Sequence, residues 1–262
     1  MIEHTQVGWL VVAIASNLLI QPFGALQWRS LLTDGVDVSF RRMVRLFSLT
    51  SVANNTTPSI VGHATGAVLL ANEPGVGKSG ALSVVALDQI CVGVAKIAVL
   101  GAAAAMLPLP SWMKQGFAGL VLLVVVLLIA AVVVAARTSH LAVLRQPRRV
   151  LRGVGFALCV KAAEAGAIAA VQGAFGLDVT PQFVFAVLAA SALGSVVPIA
   201  PANIGTYEAA SYGAYRFLGL NADAALGITV VQHVCQLLPA VGAGYMVLSL
   251  PKLRPRTPPL RV

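Results

Sequence analysis

The sequence predicts an all-α polytopic membrane protein, with about five full transmembrane helices and two opposed re-entrant helical hairpins in an inverted repeat. The chain is 58% hydrophobic and only 10% charged over 262 residues, far less charge than a soluble domain needs. It contains five apolar segments long enough to cross a bilayer, and a Pro-x-x-x-Gly element interrupts apolar sequence in each half. We expect one membrane domain, 1–262, without an added soluble enzyme domain.

Each of the five apolar segments has the length of a membrane-spanning helix, about 20 residues. We expect the first to be a retained helix and not a signal peptide, because no basic stretch precedes it and no small-residue cleavage site follows. The predicted spans are 7–26, 81–106, 113–136, 153–175 and 224–249.

Positive charge is unevenly distributed between these spans. Segments 107–112 and 176–181 contain no Lys or Arg, whereas three other regions are basic. The positive-inside rule predicts that the basic regions are cytoplasmic, with the N-terminus outside, a cytoplasmic tail at 250–262, and insertion in the cell (plasma or inner) membrane. The basic clusters are Arg29, Arg41, Arg42 and Arg45; Arg137, Arg145, Arg148, Arg149 and Arg152; and Lys252, Arg254, Arg256 and Arg261.

The order of the spans then requires two segments that return to the side from which they start. Segment 43–71 must leave the cytoplasm and return to it, and 182–220 must leave and return to the outer face. The arm 43–57 is too short to cross at ~1.5 Å per residue, which favours a re-entrant hairpin. In 182–220 the arms are longer, so two full spans remain possible there without changing the topology.

Helix, hairpin and helix thus occur twice, in 7–106 and in 153–249, joined by the helix 113–136. The two halves run in opposite directions, which predicts an inverted repeat; a coincidence of hydropathy is the alternative. Inverted repeats are common among transporters, whose substrate sites lie at the repeat interface near the bilayer midplane.

The hairpin tips carry Pro58 to Gly62 and Pro201 to Gly205. Four polar residues, 54–57, precede the first tip and could satisfy backbone groups freed by the break. A functional alternative is that helices beginning near Gly62 and Gly205 direct their N-termini at an anion such as phosphate. Glu208 could cap its own helix, bind a cationic headgroup or carry a proton. Tyr207 could orient a headgroup.

Ionisable residues within spans are costly, and each is therefore a functional hypothesis. Lys161 and Glu164 share one helical face, either as a packing pair or as a pair that re-pairs with substrate. Asp88 is either functional or merely interfacial, and Lys96 could pair with an acid on another helix. His233 is either a hydrogen-bonded core residue or a functional one.

The sequence offers no arrangement typical of a hydrolase, metalloenzyme or nucleotide-binding enzyme. Cys91, Cys159 and Cys235 lie in apolar segments without metal-ligand spacing, so we expect free packing thiols. We predict no catalytic residue, no metal and no cofactor. With a net charge of +9 but only 6% aromatic residues and no basic run on a soluble module, we expect no nucleic-acid partner.

Segment 197–210 resembles the lysylphosphatidylglycerol synthase transmembrane family, also described as flippase-like membrane proteins. The family pattern is a proline, a Pro-Gly-Gly-like turn and Gly-x-x-Glu-Ala; this chain has Ala202 and Asn203 in place of the glycines. The matching residues are Pro198, Pro201, Gly205, Glu208 and Ala209. Two earlier motifs are also similar to the family, Trp28 to Leu32 after the first helix and Asn54-Asn55 followed by Pro58 and Gly62.

The chain departs from the family pattern at three further places. His63 replaces a Glu, Asp88-Gln89 replaces a Glu-Arg pair, and Val92 stands where a further acid is usual. If these family residues bind headgroups or coupling ions, the substrate, the coupling or the activity itself differs here.

The resemblance implies translocation of a polar-headed lipid between leaflets, such as an aminoacylated phospholipid or a polyprenyl-phosphate carrier. Two alternatives remain: a membrane enzyme acting on a lipid phosphate with His63 or His233 as its catalytic group, and a non-transporting partner that presents lipid to a lipid-synthesising enzyme. We expect Arg29, Arg41, Arg42 and Arg45 to gather anionic lipid at the cytoplasmic face. The predicted substrate-binding residues are Asn54, Asn55, Pro58, Gly62, His63, Lys161, Glu164, Pro201, Asn203, Gly205, Tyr207, Glu208 and His233.

Overall fold

The computed structural model describes residues 6–137, 146–196 and 200–249, and the regular structure within them is helical. The chain start, Arg145, Pro198 and the predicted tail 250–262 lie outside the described residues. The ten α-helices of the described part are α1 Val7–Leu18, α2 Ile20–Ser30, α3 Phe40–Thr56, α4 Ser59–Ala71, α5 Gly77–Met106, α6 Ser111–Arg137, α7 Pro147–Ala174, α8 Pro181–Gly194, α9 Thr206–Phe217 and α10 Ala222–Ser249, with a 3₁₀ turn at Pro201–Asn203 between α8 and α9.

Five of these helical segments are long and apolar enough to cross a membrane: Val7–Ser30, Gly77–Met106, Ser111–Val134, Pro147–Ala174 and Ala222–Ser249. They correspond to the five predicted spans, and the all-helical fold class is confirmed. The protein is therefore a multi-pass membrane protein.

The first span is divided into α1 and α2 by a single residue, Leu19. Pro22 explains the break, since it has no backbone N–H to donate to the carbonyl of Leu18 four residues earlier. Both parts still pack along α7.

Four helices are shorter than a span and form two pairs. The longest, α3, has 17 residues and so extends about 26 Å at ~1.5 Å per residue, less than the ~30 Å hydrocarbon core. An ion pair between Arg42 and Glu73 joins the start of α3 to the end of α4, while Gly62 packs against Asn54 at their connected ends. Helices α3 and α4 therefore form an antiparallel hairpin. Helices α8 and α9, of 14 and 12 residues, form the second pair, in close contact where Gly194 meets the Thr206 carbonyl.

The principal helix contacts repeat between the two halves. The contacts α2–α3, α3–α4 and α4–α5 have counterparts in α7–α8, α8–α9 and α9–α10. Between halves, α5 contacts α7 and α8 just as α10 contacts α1 and α3. Helix α6 stands apart from this pattern: it packs on α5 and α8, and most of its side chains face outwards.

Two apolar cores lie at different levels of the bundle. One contains residues such as Trp28, Leu87 and Ala157; the other contains Val99, Val171 and Ile228. Along α5 and α7, the side chains between these two levels include the polar Lys96, Lys161 and Glu164. The packing therefore leaves a polar layer in the middle of the bundle.

Candidate functional site

A polar cavity with two connected lobes occupies this middle layer. The wide lobe has a volume of about 370 Å³ and faces the α3–α4 hairpin; the narrow lobe, about 50 Å³, faces α9 and α10. The two lobes share five lining residues, which makes them one continuous site. The shared residues are Lys161, Glu164, Ser195, Asn203 and Gln236.

The cavity lies at mid-length of the spans. Lys161 follows the first residue of α7 by 14 positions and precedes the last by 13; Gln236 is placed in the same way in α10. A site at the centre of two full-length spans lies near the bilayer midplane, far from both headgroup layers.

Charges of both signs line the wide lobe. Lys161 Nζ lies 2.6 Å from a carboxylate oxygen of Glu164, as expected for residues on one helical face. Lys96 Nζ donates to the Ser195 hydroxyl at 2.9 Å, and no carboxylate of the described residues lies within 4 Å of it. The direct hydrogen-bond partner of Lys96 is thus a hydroxyl 99 positions away in the sequence, and the suggested ion pair with an acid on another helix is not formed at this distance.

Asp88 is buried and lies 11 residues into α5, not at the helix end. Its carboxylate accepts hydrogen bonds from Gln27 at 2.8 Å and from Gln89 at 3.0 Å. All three side chains line the wide lobe, as do His63 and Val92. The departures from the family pattern at His63, Asp88-Gln89 and Val92 thus lie together around this lobe.

The first hairpin tip divides the predicted polar residues into two kinds. The side chains of Asn55, Thr56 and Thr57 donate to backbone carbonyls four residues earlier, at 2.7, 2.9 and 2.7 Å. They reinforce the last turn of α3, but these carbonyls belong to the helix, and that of Ala53 also accepts the Thr57 N–H, so they are not groups freed by the break. Asn54 differs. Its buried side-chain oxygen receives no hydrogen bond from the described residues, and Asn54 and Asn55 both line the wide lobe.

The predicted helix start near Gly62 is wrong by three residues. Pro58 has an extended ψ of 137° that separates α3 from α4, and α4 begins at Ser59. Gly62 lies inside the first turn, where its lack of a side chain allows α4 to approach Asn54. The structure thus gives Pro58 and Gly62 a role in shaping the tip; neither lines the cavity.

The second tip is a tight turn in the left-handed region of backbone space. Ala202 and Asn203 both have φ of 55°, and Gly205 has φ of 91°. Such a conformation is unusual for Ala, and it explains why the family pattern places glycines at 202 and 203. Asn203 lines both lobes, and its buried side-chain oxygen receives no hydrogen bond from the described residues.

Glu208 caps α9, one of its three predicted roles. One carboxylate oxygen accepts the Gly205 backbone N–H at 2.7 Å, and the other lies 2.5 Å from His233 Nδ1. The N-terminus of α9 therefore already has a negative group of its own, and the expectation that it is open to a ligand phosphate is not supported. Pro201, Gly205, Glu208 and His233 form the wall behind the cavity and do not line it.

A chain of buried hydrogen bonds fixes the remaining wall. Tyr215 donates to Gln232 at 2.6 Å, Gln232 donates to the Tyr207 hydroxyl at 2.6 Å, and the Tyr207 ring stacks on His233 with centroids 4.4 Å apart. Tyr207 and Gln232 line the narrow lobe. This network holds α9 against α10.

The predicted lipid-gathering arginines lie at one end of the bundle. Arg29 pairs with Asp37 at 3.0 Å and Arg42 pairs with Glu73, so both contribute to the packing of loops. Arg41 is exposed and Arg45 half-buried on the first turns of α3. Their lipid-gathering role stays a prediction.

Several cavity residues were missed by the sequence reasoning. Lys96 was recognised as unusual but not assigned to the site, and Ser195 and Gln236 were not singled out. A usable signal existed: each is a polar residue in an otherwise apolar helical segment, and Gln236 lies at the centre of its span.

Comparison with known proteins gives one match. No curated protein and no solved structure matches the chain. A family model described as the lysylphosphatidylglycerol synthase TM region matches residues 1–244, nearly the whole chain. The chain therefore belongs to the lysylphosphatidylglycerol synthase TM family, which connects it with a membrane-lipid-related function.

Proposed function

We propose that this protein translocates a polar-headed lipid between the two leaflets of the cell membrane. The observation that carries the proposal is the charged cavity at mid-length of the spans. A cavity lined by charges of both signs at mid-span would lower the stability of a purely structural helix bundle, because burying charge away from water is costly. A headgroup that must cross the hydrocarbon layer needs such a polar site at its centre.

A groove provides a route for the lipid tails. It has a volume of about 240 Å³, is almost entirely apolar, and lies between α5, α7 and α8. Ala98, Leu158 and Ala162 along it are exposed on the outside of the bundle, whereas Lys161 lines both the groove and the two lobes of the cavity. A lipid could therefore keep its chains in hydrocarbon while its headgroup binds beside Lys161.

The charges favour a headgroup that contains both a phosphate and an amine. Lys96 and Lys161 suit the phosphate, and Asp88 and Glu164 suit the amine. An aminoacylated phospholipid fits this arrangement better than a polyprenyl phosphate, which would leave Asp88 without a positive partner. The departures at His63, Gln89 and Val92 surround the same lobe, so they would affect headgroup choice.

The proposed topology is an inverted repeat with two opposed re-entrant hairpins, the N-terminus outside and the C-terminus in the cytoplasm. The short arms of both hairpins support it, because none reaches across the hydrocarbon core alone. The matched helix contacts of the two halves support it as well. In this arrangement α3–α4 enters from the cytoplasm and α8–α9 from outside, with Asn54 and Asn203 at the cavity.

The proposal is tested in proteoliposomes that contain a labelled lipid in one leaflet. Wild type should accelerate movement of at least one lipid in a panel that includes aminoacylated and unmodified phospholipids. Lys96→Met keeps an unbranched side chain, shorter by one atom, but removes its charge. Loss of one charge-assisted hydrogen bond, about 1.5–3 kcal/mol, should slow movement by about 10- to 150-fold.

Lys114→Met is the matched control, because Lys114 is exposed on α6 and away from the cavity. Its rate should equal that of wild type. Wild-type rates equal to empty vesicles for every lipid would refute translocation, and equal rates for the two lysine variants would refute the role of the cavity.

Of the two histidines suggested for the enzyme alternative, one lines the cavity and the other lies behind it. Both ring nitrogens of His233 contact protein atoms behind the cavity, whereas His63 lines the wide lobe. His63 is thus the histidine to test in that hypothesis. An altered lipid product detected by mass spectrometry, and lost in His63→Gln, would favour an enzyme over a transporter.

A further inference from the structure

The His233 side chain has an unusual pair of neighbours. Its Nε2 atom lies 3.1 Å from the carbonyl oxygen of Ala202, and its Nδ1 atom lies 2.5 Å from a carboxylate oxygen of Glu208. A backbone carbonyl only accepts hydrogen bonds, so Nε2 must carry a proton. In the neutral ring Nδ1 is then an acceptor.

The contact with Glu208 therefore requires one further proton. An ionised carboxylate is also only an acceptor, and two acceptors do not approach to 2.5 Å without a proton between them. That proton belongs either to Nδ1, giving an imidazolium and a carboxylate, or to Glu208, giving a neutral pair. In both cases the pair holds one proton more than a neutral His beside an ionised Glu.

We propose that Glu208 and His233 form a proton-binding site that fastens the second hairpin tip to α10. With the proton bound, the pair joins α9 to α10, and Nε2 holds the Ala202 carbonyl. Without it, the two acceptors repel, and the carboxylate and ring must move apart. Ala202 and Asn203 are in the left-handed region, so the turn has a more relaxed form available once it is released.

The site has a route for the proton. The Glu208 side chain is 27% exposed, whereas the His233 side chain is only 4% exposed. Of the two groups, the carboxylate is therefore the one through which a proton would reach the ring. Its second oxygen accepts the Gly205 N–H, which directs the first oxygen towards Nδ1.

Other titratable groups lie on the surrounding helices, and two of them, Tyr215 of α9 and Cys235 of α10, are buried near the pair. Tyr207 of α9 stacks on the ring, and Lys161 and Glu164 of α7 line the narrow lobe with Tyr207. Helix α1 has no titratable side chain. The titratable side chains of α3 are arginines in its first two turns, near Glu73 and away from the tip.

Asn203 links the proton to the cavity, since it belongs to the same turn and lines both lobes. Release of the turn would change the shape of the site at which we place the headgroup. Proton binding itself stands on the local geometry alone, whereas its coupling to lipid movement rests on the proposed function.

Glu208→Gln is the decisive variant. Its side-chain carbonyl can accept the Gly205 N–H and its amide can donate to Nδ1, so the contacts persist without the extra proton. Protein in lipid nanodiscs, labelled with ¹⁵N-histidine, is titrated between pH 6 and 10, and the protons bound per chain are counted. Wild type should bind one proton more per chain than Glu208→Gln, and its His233 should convert to the neutral Nε2–H form as pH rises. In the variant His233 should keep that neutral form, because the introduced amide donates to Nδ1.

Equal proton uptake by the two proteins, or a neutral Nδ1–H form in wild type, would overturn the proposal; the second result needs no variant.

Lipid movement distinguishes the two proposals. A pH-dependent rate in wild type and a flat one in Glu208→Gln would support coupling. A flat rate in both would refute coupling, and one extra bound proton without any lipid movement would refute translocation while leaving the proton site intact.

Discussion

Gly62 is a point of close approach between the two arms of the first hairpin. A Cβ atom built on Gly62 would lie 2.6 Å from the Cα atom of Asn54, and closer still to its side-chain oxygen. Ordinary contacts between carbon atoms are about 3.5–4.0 Å. In Gly62→Ala the backbones of α3 and α4 must therefore separate by about 1 Å, since a backbone atom cannot rotate away.

The expected cost is that of overpacking a close contact, about 1–3 kcal/mol of unfolding free energy. Gly155→Ala is the matched control, because nothing lies within 4 Å of the Cβ position at Gly155 in α7. Alanine is the better helix former, so that variant should gain about 0.5–1 kcal/mol. Equilibrium unfolding in mixed detergent micelles measures both. If Gly62→Ala is as stable as Gly155→Ala, the close packing at the tip is refuted.

Two further predictions concern the second tip and the topology. Ala202→Gly removes the cost of a left-handed alanine, about 1–2 kcal/mol, whereas Ala200 has an extended φ of −109°, so Ala200→Gly only increases the entropy of the unfolded chain. Ala202→Gly should therefore be the more stable variant by about 1–2 kcal/mol in the same unfolding assay. The reverse order of stability would contradict the turn geometry. In a cysteine-free background, Ile60→Cys and Ile204→Cys place thiols at the two tips, where the native side chains are 67% and 58% exposed. A membrane-impermeant thiol reagent should label the first only from the cytoplasm and the second only from outside; labelling of both from one side would exclude opposed hairpins.

The spans were predictable because about 20 consecutive apolar residues have one stable arrangement in a bilayer. Local breaks were also visible: Pro58 lies between α3 and α4, and the Pro201–Gly205 segment directly precedes α9. The start of α4 was misplaced because Gly62 marks a close contact between helices and not a helix boundary. Pro58 marks the boundary, since it ends one helix and precedes the next.

The site was less predictable because its pairings join distant parts of the chain. Lys96 and Ser195 belong to different halves, and nothing local to either indicates the other. Glu208 was left with three roles, since its capping distance from Gly205 is readable in the sequence but its contact with His233, 25 residues later, is not. The left-handed Ala202 is a similar case, because alanine in a sequence normally signals ordinary backbone.

The outward-facing position of α6 has a consequence for how such a chain evolves. In the proposed topology each half crosses the bilayer twice, so two halves joined directly would start from the same side. One additional crossing reverses the second half, and α6 supplies it while packing only lightly on α5 and α8. Selection on α6 then acts on its length and hydrophobicity more than on the identity of its side chains. Exchanges among Leu, Val and Ile should accumulate there as neutral drift, whereas a change that stops α6 from crossing would leave the second half in the opposite orientation.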